Sequence, residues 1–362
     1  MGLRVPIVNA PMGGVAGGRL AAAVTAAGGL GMVGMGTAGS TSALHAELPH
    51  VRGTFGIGLV DWVIRKEPEL LDAALAAQPA LVSVSFGSDL SWVDRAHDAG
   101  IAAATQVYNS VEAQRAEDAG IDLLVARGSE GGGHGDATIG TLPLLDVVLD
   151  AVSVPVLAAG GIASPRSLAA VLAAGASGAW LGTVLSASPE ALTSDASRRA
   201  LVAARETDTT STRVYDIVRK LPWSQRFPSR VLRNDFVARW SGHEDALADD
   251  PDALGELAAA LAARRSSNRP GGRGPRRRDG HRRRAGGPGR RAALRGCRST
   301  ARRVGVAHHA PRLKPPRMVS ACRRNALSVA IAPDGERPAD SSDYIHGPVL
   351  GDHSNDDPAQ GL

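Results

Sequence analysis

The sequence predicts an α/β fold: a (β/α)₈ TIM barrel with a small helical lid region and a disordered C-terminal tail. Three observations carry that prediction. Eight short apolar runs alternate with Ala-rich amphipathic segments over the first half of the chain, the signature of parallel βαβ units. Several of the helical segments end on a glycine, as "AAGG", "DAGI" or "AAGA". The loops with unusual chemistry all follow predicted strands, at the end where barrels of this kind carry their sites. A doubly wound open sheet uses the same alternation, but eight units in so short a span favour closure.

In chain order the strands are predicted at 7–12, 30–36, 55–60, 81–87, 102–107, 123–128, 154–161 and 178–186. Helices are predicted between them at 19–27, 41–50, 67–77, 91–99, 110–119, 142–151 and 165–174. Gly28, Gly100, Gly120 and Gly175 stand where a left-handed C-cap belongs. Ser164 and Pro165 form an N-cap and first-turn pair.

Beyond the eighth strand, the segments 189–205 and 234–240 read as helical. Trp223, Phe227, Phe236 and Trp240 are concentrated there, in a chain with only 3% aromatic residues. They are expected to serve mainly as the core of a small cap over the barrel mouth. Residues 252–264 form one more Ala-rich helix, and past Arg264 both periodicities vanish. The resulting division is 1–188 for the barrel core, 189–263 for the cap and barrel-closing segment, and 264–362 for an Arg/Gly/Pro-rich tail.

Charge divides the chain at the same place. Residues 1–263 carry 19 Lys and Arg against 28 Asp and Glu, a net −9. Residues 264–362 carry 22 against 8, a net +14, which restores the overall +5. The tail has few large apolar residues, so burial is not expected to offset its chain entropy of about 1–2 kcal/mol per residue. The abrupt change reads as a frame-shifted coding sequence. Both cysteines, Cys297 and Cys322, lie in the tail. A body without cysteine has no disulfide frame and suits a cytoplasmic protein. No uninterrupted apolar run is long enough for a membrane span, and none is expected.

The stretch "LLVARGSEGGGHGD" at 123–136 carries the most chemistry: a buried strand emptying into a loop of four glycines around His134. Gly131–Gly133 leave a backbone that a flat or phosphorylated ligand can approach closely. On a barrel rim, His134 is placed for proton transfer. Strands seven and eight end in Gly160-Gly161 and Gly182-Thr183. Barrels commonly bind phosphate there through backbone N–H groups, and the Thr183 hydroxyl adds a donor. No G-x-G-x-x-G or Walker pattern competes.

With these motifs assembled, the chain resembles the nitronate monooxygenase (2-nitropropane dioxygenase) family of FMN-dependent barrels. The likeness rests on "PIVNAPMGGVAGGRLAAAVTAAGGLGMVGMG", "TQVYNSVEAQRAEDAGIDLLVARGSEGGGHGD", "VPVLAAGGIASPRSLAAVLAAGASGAWLGT" and "RVLRNDFVARW", and covers roughly residues 4–262. It implies FMN with its ring near Ala10, Pro11 and Met12. Gln106 and the Gly132-Gly133 backbone would lie beside the ring, with Gly160, Gly161, Gly182 and Thr183 on the phosphate. His134 becomes the catalytic base. Two departures stand out: Gly58 where the family often has Asn, and no Gly-rich closing segment after Arg264.

The implied reaction oxidises an alkyl nitronate with O₂ to a carbonyl compound and nitrite. For a neutral nitroalkane His134 first removes the α-proton, Ser129 helps to hold the nitro oxygens, and Glu130 and Asp136 stabilise the loop or orient the histidine. Two other readings belong beside it. Flavin-dependent enoyl-acyl-carrier-protein reductases resemble the same family and would need NAD(P)H and an acyl tunnel. The tail's "RPGGRGPRRRDGHRRRAGGPGRR" is suited to nucleic-acid phosphates, though it lacks interleaved aromatics and the body is acidic.

Overall fold

The computed structural model describes residues 2–266, with side chains through 259. The tail expected from 264 onward, its Arg-rich block and both cysteines therefore lie outside the described residues, except for the last turn of the final helix. Eight parallel strands make the barrel: β1 (Ile7–Asn9), β2 (Gly31–Met35), β3 (Phe55–Val60), β4 (Leu81–Ser85), β5 (Ala102–Val107), β6 (Leu123–Arg127), β8 (Val156–Ala159) and β9 (Gly178–Leu181). A two-residue strand, β7 (Gly133–His134), lies in the loop after β6. The sheet runs β1-β9-β8-β6-β5-β4-β3-β2, with every neighbouring pair parallel. All the barrel strands therefore end at one rim.

Successive residues alternate between two apolar layers, as the two-residue period of a strand requires. Met32, Leu81, Leu123, Val125, Leu157 and Trp180 belong to one buried cluster drawn from strands around the whole barrel. Val33, Val82, Leu124, Ala126 and Ala158 belong to the other, with the helices. Those helices are α1 (Gly18–Ala26), α2 (Thr41–Glu47), α3 (Asp61–Lys66), α4 (Glu69–Ala76), α5 (Trp92–Asp98), α6 (Ser110–Asp118), α7 (Thr141–Leu149) and α8 (Pro165–Ala173). The expected glycine caps all have positive φ: +100° at Gly28, +72° at Gly100, +85° at Gly120 and +104° at Gly175. Ser164 accepts from Ser167 N–H in a capping box ahead of Pro165. Pro68 delays α4 to Glu69, and the separate helix α3 fills 61–66, which the sequence reading left unassigned.

Closure between β1 and β2 depends on one side chain. The predicted first strand, 7–12, stops at Asn9, because Pro11 has no N–H to extend a ladder. Asn9 continues the ladder with its amide: Met32 N–H donates to its Oδ1 at 2.7 Å, and its Nδ2 donates to Met32 C=O at 2.9 Å. Leu30 N–H to Ile7 C=O (2.9 Å) and Asn9 N–H to Leu30 C=O (3.2 Å) complete the seam. Asn9 is fully buried. Asn9→Ala should orphan two buried backbone groups at about 1–3 kcal/mol each, lowering the urea midpoint accordingly; an unchanged midpoint would mean that the seam does not need this amide.

The second unit is not purely helical, which corrects the expected helical lid. It contains α9 (Asp195–Ala203), β10 (Thr209–Thr212), α10 (Val214–Val218), β11 (Ser229–Leu232), α11 (Asp235–Trp240), α12 (Glu244–Asp249) and α13 (Ala253–Ser266). The strands β10 and β11 pair antiparallel, and β11 pairs with β7. "TTST" has β-branched residues but no apolar alternation, so periodicity could not reveal β10. Phe236 and Trp240 do form the cap's own core, with Val214, Val218 and Leu247. Trp223 and Phe227 do not; they pack with the barrel. Among the described residues no helix is long and apolar enough to cross a membrane.

Candidate active site

Most of the predicted site residues gather at the rim where the strands end. Ala10, Pro11 and Met12 follow β1, and Gly182 and Thr183 follow β9. The Ser186 hydroxyl meets Met12 Sδ at 3.2 Å, tying these two loops together. A Cβ on Gly182 would lie 3.4 Å from Met12 Sδ, and one on Gly132 would lie 2.6 Å from Thr183 Oγ1. Gly160, with φ +112°, lies against Gly128 and Gly131; Gly161, with φ +67°, lies against Glu130. Gln106, near the end of β5, accepts from the Tyr108 hydroxyl at 3.2 Å, and its amide NH₂ has no partner among the described residues. Burial pushes the Tyr108 phenol well above its ordinary value, so it is a permanent donor here.

The main-chain N–H groups of Gly160, Gly161, Gly182 and Thr183 make no hydrogen bond among the described residues. Four amides without a protein partner, on two adjacent solvent-accessible loop ends, fit an anionic group such as a phosphate. The chain thus has a cradle suited to a phosphate-bearing ligand.

The Gly58 departure has a packing explanation. A Cβ on Gly58 would overlap the ring of Pro11, and one on Gly34 would overlap the Pro11 carbonyl. Two bare strand positions let Pro11 sit against the barrel, occupying space that an Asn at 58 would need.

The glycine loop is built around a residue the sequence reading passed over. Arg127, at the end of β6, is 6% exposed. Its Nη2 donates to the carbonyls of Gly131 (2.8 Å), Gly132 (3.2 Å) and Gly133 (3.2 Å), and its Nη1 to that of Asp136 (3.3 Å). Desolvation pulls the guanidinium below its ordinary value. A Cβ on Gly131 would lie 2.7 Å from Arg127 Nε, and one on Gly135 would overlap the guanidinium. These two glycines therefore make room for the arginine, whereas Gly133, with φ +70°, has open space beside it. An arginine ending an apolar strand just before a glycine run was a signal the sequence offered.

The two carboxylates in this loop both stabilise it, and neither orients the histidine. Glu130 accepts from Thr141 N–H and Oγ1, each at 2.9 Å. Asp136 accepts from Thr138 and from Arg226 Nε at 2.9 Å. Burial pushes the Asp136 carboxyl up, but these hydrogen bonds outweigh it and hold the group below its ordinary value. Ser129 donates its N–H to Ile139 C=O at 2.8 Å and is half-buried.

His134 is instead held by the cap. Its Nε2 lies 3.0 Å from both Asp216 carboxylate oxygens, on α10. Trp223 stacks on its ring, with centroids 3.6 Å apart and planes within 7°. Trp62 and Phe86 meet Trp223 edge-on, at 5.7 and 5.0 Å. Phe86 has φ +72°, an outlier for a bulky side chain; its ring also meets Phe227 at 5.5 Å. Asp216 lies 82 positions from His134, and no local pattern marked it.

The chain matches the family model described as nitronate monooxygenase over residues 66–272. It is 38% identical over 199 residues to a Mycobacterium tuberculosis protein named as a monooxygenase, an alignment covering 54% of this chain and 48% of that one. The chain thus spans about half the length of that relative. FabK from Thermotoga maritima shares the fold with TM-score 0.62 and 28% identity, over 72% of this chain and 80% of that one. The nitroalkane oxidase of Streptomyces ansochromogenes gives TM-score 0.60 and 32% identity, over 74% and 87%.

Proposed function

The chain belongs to the nitronate monooxygenase family, and from that premise we propose that it oxidises alkyl nitronates with O₂ to a carbonyl compound and nitrite, using FMN. The observation that carries the reading is the pairing of four amides without a protein partner at one rim with a histidine gripped on the same rim. Gly160, Gly161, Gly182 and Thr183 would hold the phosphate. Ala10, Pro11 and Met12 would line the ring, with Gln106 and the Gly132-Gly133 backbone at its edge. Bound there, the flavin supplies the electron chemistry.

The chain's own residues supply placement and proton transfer. A nitronate arrives already deprotonated and needs only binding, to which Ser129 contributes at the nitro oxygens. A neutral nitroalkane must first lose its α-proton, and His134 accepts it. The likeness to a protein titled nitroalkane oxidase supports this second substrate. The cysteine-free body is consistent with a cytoplasmic location.

The test is a visible spectrum followed by turnover. The purified chain should be yellow, should release flavin mononucleotide on denaturation, and should form nitrite from a nitronate under air. A colourless protein would overturn the cofactor assignment. Rapid flavin reduction by NADPH, coupled to an enoyl thioester and without nitrite, would move the chain to the reductase alternative.

A further inference from the structure

Three features of the cap converge on one side chain. Ser229 and Arg230 of β11 pair with His134 and Gly133, fixing the backbone. Trp223 fixes the plane of the ring, and its Nε1 donates to Thr37 Oγ1 at 3.3 Å. Asp216 receives the tip. We propose that Asp216 is a positioning residue that keeps the His134 proton on Nε2 and so makes Nδ1 the atom that accepts the substrate's α-proton. The chemistry rests on the nitroalkane-oxidising reading above; the tautomer does not.

The argument begins with a buried carboxylate that has one customer. The Asp216 side chain is 6% exposed, and both its oxygens face His134 Nε2 at 3.0 Å. No other side chain hydrogen-bonds it among the described residues. The loop's own acids are engaged elsewhere, Glu130 by Thr141 and Asp136 by Thr138 and Arg226. Of the cations on the elements that hold His134, Arg127 donates to loop carbonyls and Arg230 donates to Ser129 C=O and Thr209 Oγ1; Arg213 and Arg219, three positions either side of Asp216, make no ion pair with it among the described residues.

A carboxylate only accepts, so Nε2 must be the donor. A neutral imidazole has one donor and one acceptor nitrogen, which leaves Nδ1 with its lone pair free. Nδ1 makes no hydrogen bond among the described residues, and the side chain is 18% exposed. In the proposed step the substrate C–H bond breaks, the proton moves to Nδ1, and the electron pair withdraws into the nitro group. The resulting imidazolium keeps its Nε2–H on Asp216, so the new positive charge faces a carboxylate already in place.

A simple anchor role for Asp216 predicts a weaker cap and equal losses on both substrates when it is replaced, so the tautomer and the ratio of the two rates are read together. The full chain labelled with ¹⁵N-histidine separates the two, by ¹H–¹⁵N correlation at a pH where the ring is neutral. Comparison with His134→Asn assigns the His134 signals among the ten histidines. The wild type should show the Nε2–H form. Asp216→Asn, whose amide can also donate, should populate the Nδ1–H form and lower neutral-nitroalkane turnover about 10²-fold or more relative to nitronate turnover. Asp216→Glu should recover part of both. An Nδ1–H ring in the wild type, or an Asp216→Asn variant with unchanged tautomer and equal losses on both substrates, would overturn the proposal. Should Asp216→Asn fail to fold, the wild-type spectrum still tests the tautomer and Asp216→Glu tests the selective loss of neutral-nitroalkane turnover, equal losses on both substrates overturning the proposal. Nitrite from neither substrate in the wild type would end the functional reading, and the tautomer would still decide this one.

Discussion

His134→Asn is expected to cut turnover of a neutral nitroalkane about 10²–10⁴-fold while largely sparing turnover of the matching preformed nitronate. Only the neutral substrate needs a proton removed, so the two rates separate base chemistry from electron transfer. Asn is close to isosteric with part of the ring and leaves the β7–β11 pairing intact, since that pairing uses backbone groups. Oxygen uptake with each substrate is the measurement. Equal losses would assign His134 to binding or structure; an intact neutral-substrate rate would remove it from the site.

Gly161→Val should strip the protein of flavin. Gly161 has φ +67°, a region a β-branched residue occupies only under strain, and an added Cβ would lie 3.2 Å from Glu130 Cβ. Strain of about 1–3 kcal/mol is relieved when the loop leaves the cradle geometry, and binding must restore it. That alone corresponds to about 5–150-fold in affinity, before any displacement of the Gly160 and Gly161 amides proposed for the phosphate. Flavin absorbance per protein, with far-UV dichroism to confirm the fold, reports the outcome. Full occupancy in the variant would refute the phosphate assignment.

The parts of this fold legible in the sequence are those governed by local rules. Short apolar runs between Ala-rich segments marked the barrel strands, and Gly28, Gly100, Gly120 and Gly175 marked helix ends because only a left-handed residue closes them this way. The first strand was overrun although Pro11 marks its end locally; what the sequence did not show is that the Asn9 amide takes over the ladder to Met32. Polar β10 was missed for want of alternation. At the site, the glycines and His134 were visible as a motif. Their supports were not, since Asp216 and Trp223 meet the ring only after the chain has folded back across the rim. Arg127 was the exception, a local signal read as part of an apolar strand.

The separation between His134 and Asp216 also sets a timetable. At about 5–20 residues per second of synthesis, the 82 positions between them correspond to about 4–16 s. Throughout that interval the nascent chain already contains all eight barrel strands or is completing them, while the histidine has neither its carboxylate nor its stacking partner. Gly160, Gly161, Gly182 and Thr183 are all made before Asp216 and Trp223. The residues of the proposed cofactor cradle are therefore translated before the segment that fixes the histidine, so the ring gains its orientation last.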